Sequence, residues 1–132
     1  MHIPVTGFAA AVCGLLLVLL ALRVSQLRMR HRVALGDGGH GVLHRAIRAH
    51  ANSTEHAPIF LLMSLCYELS AGSSWLLIGL VALFLLGRLS LSWGLSRASI
   101  NAARRLGAGL TYLSQLALAL ALLAQLLRGP VA

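Results

Sequence analysis

Between His44 and Pro58 the chain carries a dense set of side chains suited to polar chemistry: His44-Arg45-Ala46-Ile47-Arg48-Ala49-His50-Ala51-Asn52-Ser53-Thr54-Glu55-His56-Ala57-Pro58. Arg45, Arg48, Asn52 and Glu55 are spaced 3, 4 and 3 apart. At about 100° per residue they share one helix face, within an arc of roughly 80°. His44 and His56 flank that arc, and His50 points elsewhere. Arginine offers forked donors to carboxylates, glutamate pairs with a cation, and asparagine both gives and accepts hydrogen bonds. Such a face suits a small ligand that carries several charges. A plain solvated helix end, with Arg and Glu pairing at the surface, is the competing reading.

Four segments must position this face. Ile3 to Leu22 holds no charge and is long enough to cross a membrane, at about 20 residues per crossing. Trp75 to Leu95 is apolar except for Arg88, and Leu106 to Leu127 is free of charge. Ala57 to Leu69 is too short to span alone. Joined to the polar Gly41–His56 stretch it gives a helix of about 30 residues, roughly 45 Å long. Pro58 inside it removes one N–H and crowds the carbonyl of Thr54, so a kink is expected. The alternative is a helix that begins at Pro58, but the helical phase of the preceding polar residues argues against a loop there. A charge at mid-membrane costs about 2.5–3.5 kcal/mol on insertion scales, and such residues usually face a bundle interior. Glu55 and Arg88 therefore each require a partner.

Arg23, Arg28, Arg30 and Arg32 precede a Gly36-Asp37-Gly38-Gly39 turn signal between the first and second segments. Arg97, Arg104 and Arg105 lie between the third and fourth, whereas Ser70-Ala71-Gly72-Ser73-Ser74 has no basic residue. The positive-inside rule puts the two arginine-rich connections in the cytoplasm. Both termini then face the other side, where Arg128 is the only basic residue.

Composition agrees with this class. Of 132 residues, 58% are hydrophobic and 11% charged, against about 25% charged in soluble domains. The expectation is one all-α domain over residues 1–132, an integral four-helix membrane bundle. The net charge of +8 comes entirely from arginine among the strong bases. These arginines cluster at the ends of apolar runs instead of forming one exposed basic face, which argues against nucleic acid as a partner. Cys13 and Cys66 have neither metal-ligand spacing nor a disulfide framework and read as buried small residues. The first apolar run lacks a basic n-region and exceeds the length of a signal-peptide core, so it reads as a retained helix.

Arg48-Ala49-His50-Ala51-Asn52-x-x-Glu55-x-x-Pro58-x-Phe60-Leu61 resembles the helix-2 signature of the MAPEG family, membrane-associated proteins in eicosanoid and glutathione metabolism. Arg30-x-Arg32-Val33-Ala34-Leu35-Gly36-Asp37-Gly38-Gly39 resembles the family's first cytoplasmic loop, and Gly87-Arg88-Leu89 its helix-3 arginine motif. Arg105-Leu106-Gly107 followed by Thr111 resembles the start of helix 4. The likeness runs over nearly the whole chain and is strongest to small bacterial inner-membrane members.

The resemblance implies a homotrimer that binds glutathione between neighbouring subunits near the cytoplasmic face. It also implies transferase or peroxidase chemistry on lipophilic small molecules drawn from membrane lipid. By motif, Arg48, Asn52 and Glu55 would contact glutathione. Arg28 and Arg88 would contribute from the same or an adjacent subunit, and Arg45 and His56 lie beside them. Arg105, or alternatively Arg104, would sit near the thiol, whose anion a guanidinium stabilises.

Two departures bear on turnover. Family members that carry helix-3 tyrosines have them where this chain reads Leu91-Ser92-Trp93-Gly94-Leu95, and His56 stands where many have tyrosine. Tyr112, on the helix face of Arg105, is the candidate substitute; helix packing is its other reading. A non-catalytic protein on the same scaffold, binding glutathione or a lipid, is therefore the alternative function. A transporter role fits less well, because the charges gather at one membrane face and not at the midplane.

Overall fold

The computed structural model describes residues 3–97 and 101–127. They form four helices: α1 (Pro4–His31), α2 (Gly41–Ala71), α3 (Trp75–Arg97) and α4 (Ala102–Leu127). The protein is an all-α membrane bundle. By length and composition α1, α3 and α4 can each cross a membrane. The 31-residue α2 is longer than any of them but begins with its polar half. Arg128 lies outside the described residues.

Three helix bounds differ from the apolar runs. α1 continues beyond Leu22 to His31, because Arg, Gln, Leu and Met sustain a helix in water as well as in lipid. It stops where Arg32 takes a left-handed conformation, φ 55°. Arg104 and Arg105 belong to the first turn of α4 and not to a loop. Asn101 starts that turn: its Oδ1 accepts the Arg104 N–H at 2.8 Å, while its amide donates to the Gly94 carbonyl at 2.7 Å. α2 stays helical through Pro58.

The buried residues of α2 are Leu43, Ala46, Ala49, Ser53, Ala57, Phe60, Ser64 and Tyr67, a stripe at spacings of 3 and 4, with Glu68 beside it. Small residues in the first half let neighbouring backbones approach. Phe60 stacks on Phe84 of α3 at 3.8 Å between centroids, and Ala9, Cys13, Leu77 and Leu118 close around the pair. Cys66, read from sequence as buried, is exposed. It lies on the side of α2 away from the stripe. Among the described residues α1 packs on α2 and α3 and does not touch α4.

Glu68 locks the arginine-poor end of the bundle. It is only 4% exposed. Its carboxylate accepts the N–H groups of Val5 and Thr6 at 3.1 and 2.8 Å and the Ser73 hydroxyl at 2.7 Å. The first turn of any helix has N–H groups without intrahelical partners, and an acid there also meets the positive end of the helix dipole. Glu68 supplies that cap from a different helix.

α3 and α4 pack through glycine. A Cβ on Gly107 would lie 2.7 Å from the Gly87 carbonyl oxygen, and one on Gly94 would lie 2.7 Å from the Arg104 nitrogen. Both obstacles are backbone, so no rotamer change relieves them. Gly107→Ala is therefore expected to cost about 1–3 kcal/mol, the range for overpacking. Reversible unfolding in mixed detergent will measure it, with Gly109→Ala, which meets nothing, as the neutral control.

Candidate functional site

Arg88 sits 1% exposed at the junction of three helices. Its Nη1 donates to the carbonyl oxygen and to Oδ1 of Asn52, both at 3.0 Å, and its Nη2 donates to Thr111 Oγ1 at 2.9 Å. The Thr111 hydroxyl in turn donates to the Gly107 carbonyl at 2.8 Å. Phe84 lies under the guanidinium, 5.7 Å from carbon to ring centroid. Arg88 Nε has no hydrogen-bond partner, and no carboxylate among the described residues pairs with the charge. Neutral dipoles alone hold a full cation within the bundle.

In front of this cluster opens a cavity of about 280 Å³, walled by α2, α3 and α4. α2 contributes His44, Arg45, Arg48 and Asn52; α3 contributes Leu91 and Leu95; α4 contributes Arg104, Ala108 and Tyr112. The lining contains three arginines and no acid. Arg45 Nε is buried there without a hydrogen-bond partner. The electrostatics favour an anion, and forked guanidinium donors favour carboxylates or phosphates over a point charge.

Comparison with known proteins agrees with this architecture. The MAPEG family profile matches residues 6–124. The chain belongs to the MAPEG family. It is also 37% identical over 90 residues to the protein named "Inner membrane protein YecN" in two strains of Escherichia coli, a match covering 68% of this chain and 69% of that one.

Within one MAPEG protomer the residues singled out by motif divide into groups. Arg45, Arg48, Asn52 and Tyr112 meet in the cavity, and Arg88 stands behind Asn52. Glu55 is exposed and Arg48 largely so. Both start from the side of α2 opposite its buried stripe; the long Arg48 side chain still reaches the cavity lining, whereas Glu55 does not. The reason is steric: Ala46, Ala49, Ser53 and Ala57 are the residues that permit close helix contact. Glu55 has no ion-pair partner among the described residues. Half-buried His56 donates through Nδ1 to Gln115 Oε1 at 3.0 Å, outside the cavity. Arg28 donates to the Ala34 carbonyl at 2.9 Å and so ties down the connection between α1 and α2. Arg105 is exposed and not part of the lining.

Sequence reasoning gave Arg104 second place to Arg105 and did not use Leu91, Leu95 or Ala108. One signal was available. Arg104, Ala108 and Tyr112 are spaced four apart, a single stripe on α4. The likeness of Arg105-Leu106-Gly107 to a family motif drew attention one residue away.

At the mouth, Asp37 accepts the Gly39 N–H at 3.0 Å and contacts His44 Nδ1 at 2.6 Å. His44 thus joins the glycine-rich connection to the cavity wall. The Gly39 N–H first, and then the His44 ring, hold the Asp37 carboxyl below the usual carboxylate range. This clasp therefore contributes fully above the pKa of an unfolded aspartate and is lost as pH falls through the lowered folded value. Protection of the Gly39 N–H, taken relative to its intrinsic exchange rate at each pH, should fall over that acid range, and Asp37→Ala should show the low protection already at neutral pH.

The buried arginine yields a second expectation. Thr111→Val keeps the shape but removes one acceptor from a buried cation, a loss of about 1.5–3 kcal/mol for a hydrogen bond to charge. Detergent unfolding will read this loss. Arg88→Met combined with Thr111→Val should be less destabilising than the sum of the two single changes, because the uncompensated charge is then gone.

Proposed function

We propose that this protein is a glutathione-dependent transferase or peroxidase of the bacterial inner membrane, acting as a homotrimer with its arginine-rich end in the cytoplasm. The observation that carries this reading is the cavity lined by Arg45, Arg48 and Arg104 with no acid beside them. Glutathione carries two carboxylates, which suit these forks, and Asn52 offers amide complementarity. The unpartnered Arg45 Nε is a donor ready for one of these oxygens.

The fit within one protomer is incomplete in an informative way. The glutathione ammonium wants a carboxylate, and Glu55 lies outside the cavity on the exposed face of α2. A neighbouring copy set against that face would bring Glu55, Arg48, Arg28 and Arg105 toward a shared site. Assembly would also remove the charges of Arg48 and Glu55 from contact with lipid, where they are costly.

Bound glutathione supplies a nucleophilic sulfur: its electron pair forms the new S–C bond while the leaving group of the electrophile departs with the pair of the bond that breaks. With a lipid hydroperoxide instead, a pair of glutathione molecules gives the disulfide, the alcohol and water. The chain's part is to favour the thiolate. A free thiol has a pKa of about 8.5, and a nearby guanidinium lowers it. Arg104 in the cavity wall, or Arg105 from a neighbouring copy, takes that role. The apolar α3 wall of Leu91 and Leu95 favours a second reading, in which the same site binds glutathione without turnover.

Calorimetry of glutathione binding to the detergent-purified protein, with ultraviolet absorbance of the thiolate, tests both readings. Arg48→Ala should weaken binding about ten- to hundredfold, the loss of a charged hydrogen bond, with the oligomer intact by size analysis. Binding with a thiolate signal supports the enzyme; binding without one supports the non-catalytic scaffold. Absence of binding would overturn both.

A further inference from the structure

His44 stands apart from the other polar residues of the arginine cavity. It lines the cavity, yet its ring is held by a residue outside the helices. Asp37, in the connection between α1 and α2, meets His44 Nδ1 through Oδ2 at 2.6 Å. An ionised carboxylate only accepts hydrogen bonds, and the Gly39 N–H and the His44 ring favour that form of Asp37. Nδ1 is therefore the donor, and the tautomer of the ring is set by its partner. Nε2, on the other edge of the ring, makes no hydrogen bond to any described residue.

The charges around this ring are one-sided. Asp37 is the acid that faces it. Arg45 and Arg48 of α2 and Arg104 of α4 line the same cavity, and α3 contributes the uncharged Leu91 and Leu95. The His40 carbonyl accepts the His44 N–H at 2.9 Å, and the His40 ring stacks on His31 with 4.2 Å between centroids. A carboxylate entering this cavity favours the doubly protonated ring, because an opposite charge nearby stabilises the charged form. Both ring nitrogens then donate, Nδ1 to Asp37 and Nε2 to the ligand.

The other end of the pair is the glycine turn. Asp37 closes it twice: its side chain accepts the Gly39 N–H at 3.0 Å, and its carbonyl accepts the His40 N–H at 2.9 Å. Gly38 and Gly39 take positive φ of 55° and 79°, and a Cβ on Gly38 would lie 2.6 Å from Val33 Cγ2. A short chain of hydrogen bonds thus leads from the cavity through Nε2, Nδ1 and the Asp37 carboxylate to the Gly39 N–H. In such chains each bond polarises the next.

We propose that His44 binds a carboxylate of the cavity ligand through Nε2, with Asp37 as its positioning residue, and that filling the cavity tightens the Gly36–Gly39 turn at its mouth. That the carboxylate belongs to glutathione rests on the proposed function; the histidine–aspartate pair as a carboxylate clasp does not. The His44 side chain is 59% exposed, so the arginines hold the ligand and His44 reports its arrival to the connection.

The test uses the full-length protein in detergent and S-methylglutathione, which keeps both carboxylates and has no thiol proton to release. Calorimetry in two buffers of different ionisation enthalpy counts the protons taken up on binding near neutral pH. The unaltered protein should take up a measurable fraction of a proton. His44→Gln should abolish that uptake and weaken binding about three- to tenfold, the loss of one charged hydrogen bond at an exposed position. Asp37→Asn keeps an acceptor for Gly39 but should lower the uptake. Ligand should raise the protection of the Gly39 N–H in the unaltered protein and leave it unchanged in His44→Gln.

Equally tight binding in His44→Gln, or uptake that persists there, would overturn the assignment. Loss of uptake with no rise in Gly39 protection would overturn the coupling to the turn. If neither glutathione nor its S-methyl form binds, the proposed function has failed, and glutarate, a dicarboxylate without an ammonium, becomes the probe. Proton uptake on glutarate binding that disappears in His44→Gln would still support the clasp. No glutarate binding, or binding indifferent to His44, would overturn it.

Discussion

The buried guanidinium of Arg88 is the constraint around which this bundle is built. A cation at that depth cannot reach bulk water and has no carboxylate to meet, so its environment must be polar on every side that a donor points. Asn52 of α2 supplies two oxygens and Thr111 of α4 a third. Those bonds fix the register of α2, α3 and α4 at one level. The glycines of the α3–α4 contact follow from the same requirement. Thr111 can reach Arg88 only if the two backbones nearly touch, and Gly87 and Gly107 are the residues that allow it. Lipid gives helices little hydrophobic reason to associate, which leaves close packing and hydrogen bonds to hold them together.

The opposite end of the molecule uses a separate device. α1 buries few residues and does not touch α4, so its hold on the bundle is weaker than that of the other helices. Glu68 compensates by capping the first turn of α1 from α2, while the Thr6 and Ser64 hydroxyls meet at 2.8 Å. At the arginine-rich end, the Arg28–Ala34 bond and the Asp37–His44 contact bring the same helix back to α2. α1 is thus fastened by polar contacts at its two ends, with apolar contact between. The cavity is walled by α2, α3 and α4, without α1.

Two kinds of surface remain on the protomer. Most of the exterior carries leucine, as a lipid-facing surface should. One face of α2 carries Arg48 and Glu55 instead, and these are poorly suited to hydrocarbon. The proposed trimer accounts for that face: polar groups within a membrane span need partners, and those absent from the protomer must come from elsewhere.

Much of the fold was readable in the sequence because membrane spans obey a one-dimensional rule. About 20 apolar residues cross a bilayer, and three runs met that rule directly. The fourth helix emerged from the phase of Arg45, Arg48, Asn52 and Glu55, which only a continuous helix aligns. The resemblance named Asn52 and Arg88 as ligand contacts; that they hydrogen-bond each other was visible only in the structure. What tertiary structure alone decided was direction and pairing. Phase shows that residues share a face but not what that face meets, and the small residues Ala46, Ala49, Ser53 and Ala57 determined which side of α2 turned inward. Glu55 turned outward as a consequence, while the long side chain of Arg48 still reaches the cavity lining. Arg104 and not Arg105 entered the cavity because the glycine contact sets the rotation of α4 against α3, and one residue is about 100° of helix. Glu68 showed nothing in sequence of its role, because the turn it caps lies more than 60 residues away along the chain. Hydropathy fixes which segments enter the membrane; close packing and the need to satisfy each buried polar atom fix how they face one another.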